Sequence, residues 1–235
     1  MNKKIYIILI ILLVVAGIFF FLNKESSHIL DFEDCAYNIN GQEITLISGY
    51  SEISEGLSKV ITRYYGNETY GDVNNDELDD TAFIITQNSG GSGTFFYLVV
   101  ALKNNDGYTG TNGIFLGDRV SIQNTEIKDG KIIVSYKDRK NSDTMVSSPS
   151  IEITKQFKLE NGQIIDATPE EDIKEQGCLI SGGTVKTSLC CGSASNFPNL
   201  CLIGACGCSP ASSHEVKTCN CGKGSCFNGI ECINN

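Results

Sequence analysis

The chain has 235 residues, enough for one or two small domains, with 18 basic against 28 acidic side chains and a net charge of −10. That balance argues against a nucleic-acid partner, because phosphate contacts need a basic face. It is compatible with cation binding and a soluble surface. Of the 11 cysteines, Cys35 stands alone and the others lie between Cys178 and Cys232. Such a density implies a disulfide scaffold in an oxidising compartment and a metal cluster in a reducing one, so the compartment comes first.

The N-terminal MNKK precedes an unbroken apolar run, Ile5–Leu22. As a helix this run spans roughly 27 Å, close to the ~30 Å hydrocarbon core of a bilayer. Lys3 and Lys4 precede it and only Lys24 follows closely. The positive-inside tendency then leaves the N-terminus in the cytoplasm and the bulk of the chain outside. Residues 1–24 read as a single-pass signal-anchor in the cell membrane. The alternative is a cleaved signal peptide and a secreted chain, but a signal peptide ends in small residues. This run ends in Phe19, Phe20, Phe21 and Leu22, and no lipoprotein-type cysteine follows directly. Both readings export the domain. Residues 25–34 form a polar tether in which His28 is a solvated side chain.

Residues 35–165 are long enough for a real core, and the pattern predicts an α+β domain: a mostly antiparallel β-sheet with one packed helix. Tyr37–Ile47 reads as a hairpin about Asn40-Gly41, a type I′ turn signal. Ser51–Tyr65 reads as the helix, with Ile53, Leu57, Val60, Ile61 and Tyr64 along one face. Ser51 or Ser54 supplies its cap and Gly66 its end. Thr81–Thr86 is a strand, the Gly90–Gly93 stretch (GGSG) a turn, and Phe95–Leu102 an apolar strand covered on both faces. The GGSG fits neither G-x-x-x-x-G-K-[ST] nor G-x-S-x-G. After a turn-rich stretch, Arg119–Ile127 and Lys131–Lys137 alternate about Asp129-Gly130, and Ile151–Leu159 alternates before Asn161-Gly162. Asn67-Glu68-Thr69 is a formal glycosylation acceptor of the kind that arises often by chance.

Between the expected helix and the Thr81 strand lies an acidic loop. Asp72, Asn74, Asp76 and Asp80 occupy positions 1, 3, 5 and 9, with Leu78 at position 7 to offer its backbone carbonyl. This is the ligand spacing of EF-hand-like calcium loops: calcium needs six to eight oxygens, and alternate side chains of a tight loop converge. The competing reading is a solvated Asp/Asn turn. The loop resembles the calcium loops of FG-GAP repeats, G-D-x-N-x-D-G-x-x-D before a strand, more than a true EF-hand. Position 12 is Phe83, not a bidentate glutamate. Glu77 stands where the pattern has glycine, and a single loop does not imply a propeller. Gly71–Leu102 together with the LGDR of Leu116–Arg119 also resembles a group of exported bacterial proteins sharing the GD-x-N-x-D loop, a GGSGTFFYL-like strand and LGDR. That resemblance implies an envelope location, with no activity to carry over. Taken by itself, Gly117-Asp118-Arg119 reads as a turn with a local ion pair.

Residues 166–177 (DATPEEDIKEQG) are polar and read as a linker to a cysteine-rich domain, 178–235. Phe197 and Phe227 are the aromatic residues of that segment, too few for a core without covalent or metal staples. Its cysteines are Cys178, Cys190, Cys191, Cys201, Cys206, Cys208, Cys219, Cys221, Cys226 and Cys232. No C-x-x-C occurs, which counts against zinc ribbons and thioredoxin-like motifs. Five bridges are expected, with Cys190 and Cys191 bonded to separate partners and the connectivity open. A thiolate cluster with His214 is the rival, and the final CNCGKGSCFNGIEC has a slight EGF-like look. Cys35 makes the total odd: it pairs with another chain, stays free, or joins the main domain to the tail.

The leading functional expectation is an anchored envelope protein that acts by binding a surface protein, glycan or envelope component, with structural calcium. The alternatives are an envelope hydrolase and a thiolate metal-binding protein. Two histidines and no nucleophile motif make a hydrolase less favoured than a binding module, and the thiolate reading requires reduced cysteines.

Overall fold

A computed structural model describes residues 31–55 and 58–234. The apolar run Ile5–Leu22 and His28 lie outside these residues. Among the described residues no helix is long and apolar enough to cross a membrane.

The chain opens with a hairpin, β1 (Ala36–Ile39) and β2 (Gln42–Thr45). It continues through β3 (Tyr50–Glu55), β4 (Ser58–Gly71), β5 (Asp80–Asn88), β6 (Phe95–Asn104), β7 (Gly107–Gly110) and β8 (Ile114–Asp118). These six strands make one sheet in the order β3-β4-β5-β6-β7, with β8 also paired to β6. A second antiparallel sheet follows: β9 (Ser121–Lys128), β10 (Lys131–Asp138), β11 (Ile151–Glu160) and β12 (Gln163–Asp166), ordered β12-β11-β10-β9.

Burial explains the layering. Along β5 and β6 every residue from Thr81 to Ile85 and from Phe96 to Ala101 is buried; for β6 the unbroken apolar run predicts this. Ala82, Ile84, Leu98 and Val100 point to the second sheet and meet Ile132, Val134, Ile153 and Phe157. Phe83, Ile85, Val99 and Ala101 point the other way and meet Tyr37, Ile39, Ile44 and Leu46 of the hairpin. The central sheet is therefore sandwiched between a four-stranded sheet and a hairpin. Gly110 lets the hairpin approach: a Cβ there would sit 2.2 Å from the Ala36 carbonyl oxygen. The three expected tight turns are all present, with Asn40, Asp129 and Asn161 at φ of 53°, 51° and 52°, each followed by glycine.

Two expectations are corrected. Ser51–Tyr65 is not a helix but most of the β3–β4 hairpin, with Ile53 paired to Val60 and Ser51 to Thr62. Val60 and Thr62 turn inward as alternate residues of a strand. The stretch is rich in β-branched and aromatic side chains, and pairing to β5 realises that preference. The segment 166–177 is likewise no free linker. It closes β12 and then forms α1 (Glu170–Ile180), whose first turn holds Glu170, Glu171 and Asp172, where the helix dipole favours anions.

Helix α1 joins the sandwich to the tail. Gln176 Nε2 donates to the Thr154 carbonyl at 2.7 Å, and Glu171 and Glu175 reach Lys217. The tail contains β13 (Thr184–Cys191), α2 (Leu200–Ile203), β14 (Ser213–Asn220), β15 (Ser225–Phe227) and β16 (Cys232–Asn234), with β13 paired to β14 and β15 to β16. Its small core is Cys178, Phe197, Cys219 and Phe227.

Phe83 fills the interface between central sheet and hairpin and packs against the rings of Phe32, Tyr37 and Tyr64. Phe83→Ala is expected to lower unfolding free energy by about 3–5 kcal/mol in denaturant titration. Val146→Ala, at a side chain 93% exposed, is expected to leave it unchanged.

Candidate functional site

The acidic loop spans the connection from β4 to β5. Its first carboxylate organises it: Asp72 Oδ1 accepts from the backbone N–H of Asn74 (3.2 Å), Asn75 (2.6 Å) and Asp76 (3.3 Å), and Oδ2 from Glu77 (2.9 Å). Asn75 and Glu77 take left-handed φ values of 62° and 69° to make this wrap possible. Glu77 thus adopts the conformation that glycine supplies in the FG-GAP pattern, and the loop closes despite the substitution. Asp76 Oδ1 accepts from Leu78 N–H at 2.9 Å, while its Oδ2 takes the Asn74 Nδ2–H donor at 2.9 Å. Leu78 is exposed.

Asp80 has a different role. It is fully buried, and its two oxygens accept the backbone N–H of Val73 (3.0 Å) and Lys103 (2.8 Å). The carboxylate ties the loop's start to the end of β6. Desolvation pushes the Asp80 carboxyl up, its two backbone donors pull it down, and Asp76 and Asp72 add to the rise. At Asp72 desolvation also acts upward, but the backbone donors of Glu77, Asn75, Asp76 and Asn74 outweigh it and hold the carboxyl below the usual range. The two therefore respond oppositely to acid. The Asp72 contribution to stability is present above its ordinary value of 3.8 and is lost as pH falls below it. The strain of ionised Asp80 is instead relieved as it protonates.

Asp72, Asn74, Asp76 and Leu78 are brought into one exposed turn, with Asp80 beneath it. Asn74 Nδ2 stands toward Asp76 where a cation would otherwise compensate the carboxylate. Among the described residues, the ligand-type side chains with atoms mutually within 4.8 Å are Cys219, Cys221 and Cys232 rather than these carboxylates. Those sulfurs are already committed, Cys219 to Cys178 and Cys221 to Cys232, and so are not thiolates available to a metal.

The ten tail cysteines form five disulfides: Cys178–Cys219, Cys190–Cys206, Cys191–Cys208, Cys201–Cys226 and Cys221–Cys232. The adjacent pair Cys190-Cys191 bonds to separate partners, as expected. His214 lies opposite Cys190 in the β13–β14 ladder. Cys35 is free and only 3% exposed, with its Sγ 3.3 Å from the carbonyl oxygens of Asp31 and Tyr108. It does not join the main domain to the tail, and a bridge to another chain would require the 31–34 turn to peel away. Burial pushes its thiol up, which lowers its reactivity.

The LGDR segment is a structural clasp. Asp118 Oδ1 accepts from Thr94 N–H at 2.9 Å, and Arg119 N–H donates to the Thr94 carbonyl at 2.7 Å. The Asp118 carboxylate also holds the Arg119 guanidinium at 2.8 Å, the anticipated local pair. Arg139 then donates to the carbonyls of Arg119, Asp118 and Ser147. The GGSGT turn and LGDR, far apart in sequence, are thus two halves of one junction at the start of β6.

Clefts near the tail offer little for hydrolysis. One of about 350 Å³ lies between α1 and β11, lined by residues that include Glu152, Asp172, Glu175 and Lys217. Lys217 pairs with Glu175 at 2.7 Å. Glu33 and Asp80, the carboxyl groups raised by desolvation among the described residues, line neither this cleft nor its neighbour around Thr187 and Glu215. Sequence reasoning missed a further cleft on the hairpin side of the central sheet, beside Phe115.

Comparison with known proteins gives no match: no family model fits the chain, and no curated protein or solved structure is similar to it.

Removing Asp80 should cost more than removing its exposed neighbours, because two inward backbone donors lose their acceptor. Asp80→Ala is expected to reduce stability by roughly 2–4 kcal/mol, and Asp79→Ala by less than about 0.5 kcal/mol, in parallel chemical denaturation.

Proposed function

We propose that the chain is a membrane-anchored extracytoplasmic binding module, with residues 1–24 as the anchor and a disulfide-stapled tail. The observation that carries this reading is the pairing of all ten tail cysteines in five disulfides. Such bridges persist in oxidising compartments and are rare in the cytosol. The apolar run Ile5–Leu22, preceded by Lys3 and Lys4, supplies the route and the orientation. A binding role is favoured over hydrolysis because the chain has two histidines and no nucleophile motif such as G-x-S-x-G, and Glu175 in the cleft between α1 and β11 is paired to Lys217.

In the same reading, Asp72, Asn74, Asp76, the Leu78 carbonyl and Asp80 hold a structural calcium ion. The preformed turn at Asn75 and Glu77 and the alternate oxygen-bearing residues Asp72, Asn74 and Asp76 support it. Calcium would offset the repulsion that Asp72 and Asp76 exert on Asp80. Asp80 serves mainly to fix the loop's base, since both its oxygens already accept backbone protons.

Two measurements test these claims. Intact mass after denaturing alkylation without reductant should show a single labelled cysteine, Cys35; extensive labelling of protein from an oxidising host would overturn the disulfide scaffold. Saturating calcium should raise Tm, and Asp76→Ala should remove that rise. An unchanged melt of the wild-type chain would sink the calcium assignment and leave the loop as a self-bonded Asp/Asn turn.

A further inference from the structure

The cleft on the hairpin side of the central sheet, beside the β1–β2 turn, is about 370 Å³, within the roughly 300–1,000 Å³ of small-molecule sites. It is lined by Asn40, Gln87, Ser89, Phe95, Tyr97 and Phe115, with no residue of the acidic loop or the tail. Three paired strands build it: Gln87 comes from β5, Phe95 and Tyr97 from β6, and Phe115 from β8. Asn40 reaches over from the β1–β2 turn.

Phe115 is 50% exposed at the rim. Its ring is held 5.5 Å from that of Tyr97 and 6.2 Å from that of Phe95. Tyr97 is nearly buried, and its hydroxyl accepts from Asn40 Nδ2 at 2.9 Å. Gln87 Nε2 lies 3.4 Å from Thr62 Oγ1. Tyr97, Asn40 and Gln87 are therefore held by bonds within the chain before any ligand arrives, and the three aromatic residues stand on paired strands, which position a site more accurately than loops do.

The chemistry of this lining is selective. It contains no Asp, Glu, Lys, Arg or His, on a chain whose net charge is −10. That disfavours an ionic ligand. An aromatic face carries partial negative charge and attracts the slightly positive C–H face of an aliphatic ring. Carboxamides and a hydroxyl each combine donor and acceptor at one tip, matching a row of adjacent hydroxyl groups. A pyranose has both features: one C–H-rich face and a hydroxyl rim. We propose that this cleft binds a neutral saccharide, with a pyranose ring stacked on Phe115 and its hydroxyls met by Asn40, Gln87 and Ser89. The proposal rests on the reading of the chain as an extracytoplasmic binding module and names its ligand class. A quaternary ammonium ligand would use the aromatic faces but not the amide rim.

The test uses the full chain in a detergent without a sugar headgroup. Titration calorimetry is run with cellotriose, maltotriose, mannotriose and chitotriose as probes, and with choline chloride. At least one trisaccharide should bind at millimolar concentration or below. Phe115→Ala, at a half-exposed side chain, should weaken that binding by about tenfold or more with Tm unchanged. Gln87→Ala should weaken it as well. Absence of binding by all four saccharides overturns the proposal, as does binding that survives Phe115→Ala. Choline binding that replaces saccharide binding overturns the saccharide assignment. The disulfide state is read separately by alkylation, so a properly bridged chain that binds no sugar refutes the ligand class and not the export reading.

Discussion

Strands β5 and β6 bury both their faces, and this double burial sets the position of every other layer. A strand covered on one side alternates apolar and polar residues; one covered on both sides cannot. Phe83, Ile84 and Ile85, with Leu98, Val99 and Val100, therefore need two covering surfaces. The β9–β12 sheet supplies one and the β1–β2 hairpin the other. The hairpin is too small to be stable by itself. It persists because Tyr37, Ile39, Ile44 and Leu46 lie on that apolar face, and because the Asn38 and Thr111 backbones bond it to the chain beyond β7.

The ends of these two strands carry the chemistry-bearing side chains. At one end Asp80 holds both Val73 and Lys103, so the acidic loop is moored to β5 and β6 together. At the other, Asp118 and Arg119 clasp Thr94 where the chain enters β6. The buried carboxylate is tolerated because both its oxygens are hydrogen-bonded. The sandwich interior is mostly apolar, and these polar moorings at the strand ends, the buried Thr111 bonded to the Val100 backbone and the three type I′ turns help fix its register.

Much of this was legible in the sequence, and what was not has identifiable causes. Asn40-Gly41, Asp129-Gly130 and Asn161-Gly162 announced their hairpins because few dipeptides take two successive positive φ values. The Ser51–Tyr65 stretch misled because spacings of four are shared by one face of a helix and one face of a strand; Ile53 and Val60 are neighbours across a hairpin instead of along a helix. The segment 166–177 looked like a linker because α1 buries only Cys178, leaving no apolar stripe to read. Its signature was the Thr-Pro-Glu-Glu-Asp start, a helix N-terminus in composition. The acidic loop was legible as a turn and as a spacing of oxygens. That Asp80 points inward to backbone donors depends on β6, whose Lys103 is distant in sequence. The cleft at Phe115 was invisible for the same reason, since Gln87, Phe95 and Phe115 are joined by sheet pairing and Asn40 by its bond to Tyr97.

The tail obeys a different physical rule from the sandwich. Phe197 and Phe227 meet edge to face, and the rest of its small core is largely sulfur. Burial on that scale cannot offset the conformational entropy of so many ordered residues. The bridges shift the balance by restricting the unfolded chain, and the widest, Cys178–Cys219, has a sequence separation of 41. It also fastens α1 to β14, while α1 in turn packs on β11 through Gln176. That bridge, together with the Lys217 pairs to Glu171 and Glu175, thus links the folding of the tail to its hold on the sandwich. The sandwich has no such dependence, because its single cysteine, Cys35, is buried and unbridged. Reduction should therefore separate the two halves in stability, loosening the tail while the doubly covered strands stay intact.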